Sequence, residues 1–172
     1  MRLPAVMLVI VTASLWGSSA RAIPIEIVNF SVNTSVLWND TGIQIEGGEF
    51  LSLNASGTAY VCTPAGPPCA VPPDGWAPGT PRPQSAVPDL VAYALIGRIG
   101  LTGTPFLVGS SYNGLELESG HLYLTMNDEP GGFGDNSGTW IVNGSVVPEP
   151  ATAALLGLGL AGLAVRRRAR AA

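Results

Sequence analysis

Through most of the chain apolar residues recur at every second position, and no window shows the three-and-four spacing of an amphipathic helix. Leu51, Leu53 and Ala55 share one face of the segment Phe50 to Ala55, and Leu122, Leu124 and Met126 share one face of His121 to Met126. Ile25 to Ser31, Ser35 to Trp38, Tyr93 to Ile99 and Thr139 to Asn143 also read as strands. Turns rich in Gly, Asp and Asn separate these runs at short intervals. Many short strands with such turns predict an all-β protein, a jelly-roll-like β-sandwich.

Both ends break the pattern. Met1-Arg2 is followed by a mostly apolar run, Leu3 to Trp16, then by small residues ending in Ala20-Arg21-Ala22. This is the form of a signal peptide, predicted over 1–22, with signal peptidase cutting after Ala22 or after Ala20. The run is shorter than the roughly 20 residues of a spanning helix, which argues against an uncleaved anchor. At the other end Val147-Pro148-Glu149-Pro150 precedes an apolar stretch, 151–165, and the basic cluster Arg166-Arg167-Arg168-Ala169-Arg170. Fifteen helical residues reach about 22 Å, short of a hydrocarbon core of about 30 Å, so a transmembrane helix over 151–165 would span only marginally. The arginines favour the cytoplasmic side, which puts the preceding domain across the inner membrane. The tripartite tail, 148–170 with Val147 before it, resembles the PEP-CTERM sorting signal of Gram-negative bacteria. That resemblance implies processing by an exosortase, a membrane cysteine protease linked to exopolysaccharide production, after transient anchoring. The product would stand at the cell surface or outside the cell.

Between the two ends lies one domain, 23–147, of ordinary single-core size. It holds eleven acidic residues and two basic ones, Arg82 and Arg98, for a balance of −9 (2 − 11). Lysine is absent. Such a domain repels nucleic acid and attracts divalent cations. Thr63 to Pro88 contains nine prolines, so it cannot form a central strand and is expected to be a long surface loop. Cys62 and Cys69 flank its first turn, and in an exported protein the simplest expectation is a disulfide between them.

The densest chemistry lies in Asn127 to Asn136, where Asp128, Glu129 and Asp135 stand with two amides and three glycines, a fourth following at Gly138. Carboxylate, amide and backbone oxygens are what Ca²⁺ takes as ligands. The spacing is not that of an EF-hand, and residues of this kind also form ordinary turns. The order of the wider region resembles the calcium-dependent galactophilic lectins of bacteria (PA-I type) from about Ile43 to Val146. Its marks are Glu49 to Gly57 with Tyr60, Asp74-Gly75-Trp76, Ala94 to Gly100, Phe106 to Gly109, Ser119-Gly120, Leu122 to Leu124, Asn127-Asp128 and Asp135 to Gly138. The resemblance implies calcium ligation by the side chains of Asp128, Asp135 and Asn136 and by the backbone carbonyls of Tyr60 and Gly132. It also implies contact with a galactose-like glycan through Asp128, Glu129, Gly132, Asp135 and the loop residue Trp76. The family's His-x-x-Gln contact is missing around Pro81-Arg82-Pro83-Gln84.

No enzyme is expected. His121 is the only histidine and reads as an exposed strand residue without a partner nucleophile. Glu116 and Glu118 read as alternate carboxylates on one strand face, more often solvated than paired for glycoside hydrolysis. Trp76 suits either stacking on a sugar or packing of the loop onto the sandwich. A purely structural matrix protein without a sugar site is the alternative to a lectin.

Overall fold

In a computed structural model that describes residues 23–76, 81–148 and 152–171, two antiparallel sheets face each other. The strands are β1 (Ile25–Asn33), β2 (Asn39–Ile45), β3 (Phe50–Tyr60), β4 (Ala70–Val71), β5 (Leu95–Ile99), β6 (Phe106–Leu107), β7 (Ser111–Leu115), β8 (Gly120–Met126) and β9 (Ser137–Val147). One sheet runs β1-β9-β3-β4, with β7 also on β3; the other runs β2-β8-β5-β6. This is the all-β sandwich that the alternation predicts. The signal peptide expected over 1–22 lies outside the described residues.

Register explains the core. Leu51 and Leu53 on β3 stand opposite Val146 and Gly144 on β9, and both leucines are fully buried. Leu122, Leu124 and Met126 close the core from β8. Side chains alternate across a strand, so one polar-facing residue between each pair leaves these positions inward together. Trp140, the largest buried side chain, sits on β9 between Val32 of β1 and Gly57 of β3.

Three expectations need correction. Ser35 to Trp38 is a turn, not a strand: Asn33 Oδ1 accepts the Ser35 N–H at 2.9 Å, and Asn39 Nδ2 donates to the Asn33 and Val36 carbonyls. Side chains that satisfy the backbone locally reverse the chain before a ladder can form. The segment Tyr93 to Ile99 pairs only from Leu95, because Tyr93 has φ 57°, outside the extended region. The proline-rich stretch is not wholly a surface loop. Val71, Pro73, Gly75 and Ser85 are buried, and β4 pairs with the end of β3 through Val71↔Ala59.

Cys62 and Cys69 form the expected disulfide, with Cα atoms 5.8 Å apart. It closes a short loop beside the β3–β4 pairing. Replacing both cysteines by serine should lower stability by about 2–3 kcal/mol, measured by urea unfolding, with the native far-ultraviolet circular dichroism retained.

The C-terminal helix α1 (Thr152–Ala171) runs through the arginines and is longer than the apolar 151–165 stretch. Among the described residues no helix is long and apolar enough to cross a membrane. The expected transmembrane helix is therefore present as a helix but falls short as a span. Pro148 is described, while Glu149 and Pro150 of the sorting motif lie outside the described residues.

Candidate calcium and carbohydrate site

Strand β8 ends at Met126, and the chain then turns through Asn127–Asn136 into β9. Asn127 is fully buried and acts as a clamp. Its Oδ1 accepts the Val87 N–H at 2.9 Å, and its Nδ2 donates to the carbonyls of Val87, Leu90 and Val91 at 3.0, 3.2 and 3.0 Å. Backbone bonds add to it: Ala86 N–H donates to the Asp128 carbonyl at 2.7 Å, and Tyr93 N–H to the Asn127 carbonyl at 2.9 Å. The end of the proline-rich stretch is thereby fixed against the hairpin. Asn127 belongs to the densely polar segment of the sequence, but only the fold shows that it positions the site.

Asp128 and Asn136 come together inside this frame. Asp128 is 4% exposed and Asn136 6% exposed. Asp128 Oδ1 accepts the Glu129 N–H at 2.7 Å, and Oδ2 accepts Asn136 Nδ2 at 2.8 Å. Asn136 Nδ2 also donates to the Thr34 carbonyl at 3.2 Å. Two acceptors on one amide end fix which end is nitrogen. The other end, Asn136 Oδ1, is buried and has no hydrogen-bond donor. A buried acceptor left unmatched costs about 1–3 kcal/mol, so its persistence calls for an explanation.

Gly132 leans over the same carboxylate: a Cβ there would lie 3.2 Å from both Asp128 oxygens and 2.9 Å from Glu129 Cγ. Gly131 reaches this turn at φ 106°, a conformation that glycine adopts without steric cost. Asp135 and Glu129 are exposed and Tyr60 is half-buried; none of their side chains bonds to the Asp128–Asn136 pair. Among the described residues no three of His, Cys, Asp and Glu gather as a metal cluster. The oxygens available here are a carboxylate pair, an amide and backbone carbonyls, a hard-cation set of mixed kind.

Aromatic and cationic groups border the hairpin. Trp76 is half exposed, with its ring 5.4 Å from that of Tyr93 at 58°, so it packs on the loop and still presents surface. The Arg82 guanidinium lies over the Tyr93 ring, 5.4 Å from its centroid, and donates to the Tyr93 hydroxyl. Burial holds the Tyr93 phenol above its ordinary range, against the pull of Arg82; the charges of Asp128 and Glu129 raise it further. Tyr93 carries no signal in the sequence, whereas Arg82 stands out there as one of two cations in an acidic domain.

Two other sequence candidates lie elsewhere. His121 is an exposed β8 residue, as expected, and its Nδ1 stands 3.1 Å from Asp40. The Gly42 backbone N–H and then His121 hold the Asp40 carboxyl below its ordinary range. Glu116 and Glu118 are not alternate residues of a strand, since β7 ends at Leu115. Glu116 is buried rather than solvated.

Comparison with known proteins adds to both parts of the chain. Residues 146–168 match the family model of the PEP-CTERM protein-sorting motif. The chain carries a PEP-CTERM sorting motif. No curated protein matches the sequence. Among solved structures, the sandwich is similar to one titled "EclA N-terminal domain; PllA-like lectin", with a TM-score of 0.56 and 23% identity over 70% of this chain and 97% of that one. At that identity the likeness establishes a shared fold. The PEP-CTERM motif therefore follows the β-sandwich directly: β9 ends at Val147, inside the matched segment.

Proposed function

We propose that this is an exported protein whose PEP-CTERM tail is engaged and cut by an exosortase, and whose sandwich binds Ca²⁺ and, through it, a carbohydrate. Asn136 carries the calcium reading. Its oxygen is buried and unmatched beside an almost fully buried carboxylate, and a cation is a natural partner for both. The side chains of Asp128, Asp135 and Asn136 and the carbonyls of Tyr60 and Gly132 would hold the ion. Bound calcium would supply a Lewis-acidic point on which sugar hydroxyls can settle. Asp128, Glu129, Gly132 and Asp135 would line the sugar, and the free surface of Trp76 suits its apolar face. The glycan class is galactose-like or a neighbouring exopolysaccharide. Lectin-type binding without chemical turnover is the activity this supports.

Calcium titration calorimetry of the purified chain tests the reading. We expect a Kd on the order of 10⁻⁴ M, in the range of extracellular modules, and a loss of about 100-fold in Asp128→Ala. A variant that binds as the parent does, or a parent silent at millimolar calcium, overturns it. A glycan array with and without chelator then reads the sugar. One observation favours a structural matrix role instead: Arg82, on the loop that should contact sugar, engages Tyr93 with its guanidinium. On that reading calcium binds and the array stays blank.

A further inference from the structure

At the pole opposite the hairpin, where β3 and β8 begin and β5, β7 and β9 end, the sandwich carries a concavity. It is a groove of about 220 Å³, walled by Ile99, Phe106, Tyr112 and Leu117 with Glu116 and Glu118. The Phe106 and Tyr112 rings stack at 4.6 Å and 29°. Glycine makes room for each part. A Cβ on Gly97 would lie 2.8 Å from the Phe106 ring, and one on Gly114 would overlap the Tyr112 hydroxyl. A Cβ on Gly103 would overlap the Ile99 carbonyl and the Glu118 carboxylate.

Glu116 is only 7% exposed. Its Oε1 accepts the Tyr112 hydroxyl at 2.8 Å, while its other oxygen, not closed off by protein, accepts no hydrogen bond among the described residues. Tyr112 remains a donor, because burial and Glu116 hold its phenol far above the ordinary range. Among the described residues no cation pairs with Glu116; the ion pair present is His121–Asp40. The neighbourhood adds more negative charge. Glu118 takes the Thr104 N–H on both oxygens at 3.2 Å, and the Glu49 carbonyl takes the Glu116 N–H at 2.8 Å. One oxygen of this largely buried carboxylate is matched by a phenol and the other is open to the groove, a place that a positively charged donor fits.

We propose that this groove is a second binding site, for an organic ammonium group. The –NH₃⁺ would sit between Glu116 and Glu118, where three N–H donors meet carboxylate acceptors. The body of the ligand would lie against Leu117 and the ring pair, whose face also attracts a cation. An alkylammonium, such as a partner's lysine side chain, and an amino sugar share this chemistry. The site does not use calcium and stands apart from the Asp128 hairpin.

The test is titration of the full chain with 1,5-diaminopentane, glucosamine and neutral galactose, all in the presence of chelator. We expect at least one ammonium compound to bind in the millimolar range and galactose not to bind. Binding of diaminopentane alone identifies an alkyl stem; binding of glucosamine shows that the groove admits a sugar ring. Glu116→Gln should weaken binding at least tenfold and Glu118→Gln about threefold, with Asp128→Ala leaving it unchanged. Circular dichroism checks that Glu116→Gln folds; if it does not, Glu118→Gln decides alone. Absence of ammonium binding, or an affinity indifferent to the folded glutamate variants, overturns the proposal and leaves the calcium reading untouched.

Discussion

Asn127→Asp is expected to destabilise the protein by about 3–5 kcal/mol at neutral pH, although it changes one atom of the side chain. In the native fold Nδ2 donates to three carbonyls, those of Val87, Leu90 and Val91. An ionised aspartate would turn a second acceptor toward them in a site that water does not reach. The variant has a pH signature. Burial among carbonyls raises its folded-state pKa above the unfolded value, so the destabilisation is full above the folded pKa and is relieved as pH falls through it. Asn127→Ala should cost less, about 2–4 kcal/mol, with no such pH dependence. Urea unfolding at several pH values separates the two. Equal losses for the two variants at every pH would mean that the introduced charge is not what destabilises the aspartate variant.

The second large effect is on Trp140. Its indole is fully buried, and Nε1 donates to the Val71 carbonyl at 3.4 Å, which ties β4 and the proline-rich stretch to the central strand. Trp140→Ala should cost about 3–5 kcal/mol from lost contact and the cavity left behind. Trp140→Phe should keep most of the packing and lose the weak hydrogen bond, for about 1–2 kcal/mol. An unchanged urea slope in both would show that the native compactness survives.

The parts of the fold legible in the sequence were those written as period-two burial. Leu51, Leu53, Leu122, Leu124 and Met126 announce their faces because each strand buries one side only. The misread segments are those where side chains outbid the ladder. Asn33 and Asn39 bend Ser35 to Trp38 out of extended form despite its β-prone residues. The short strands β4, β6 and β7 carry too few alternating apolar positions to stand out. For the site, residue type pointed to Asp128 and Asn136, and the fold joins them. Glu116 shows the limit from the other side: alternation with Glu118 suggested solvent, whereas the chain leaves β7 one residue earlier and turns Glu116 inward. The tail was legible for a different reason, since its proline, apolar and basic parts occur in linear order and need no fold to be recognised.

Strand β9 lies between β1 and β3 and pairs with both along nearly its whole length, while β1 and β3 do not pair with each other. Among the described residues it is also the last strand in chain order. Until its eleven residues emerge, the larger sheet has no middle, and the first strand has nothing to join. Closure of the larger sheet therefore waits for β9, and the sorting motif follows that strand without a spacer. Completion of the sandwich and arrival of the tail at the membrane become successive moments of one event. A chain cut short before Val147 would lose its centre and its address together, so the quality check and the delivery label are written in the same stretch of polypeptide.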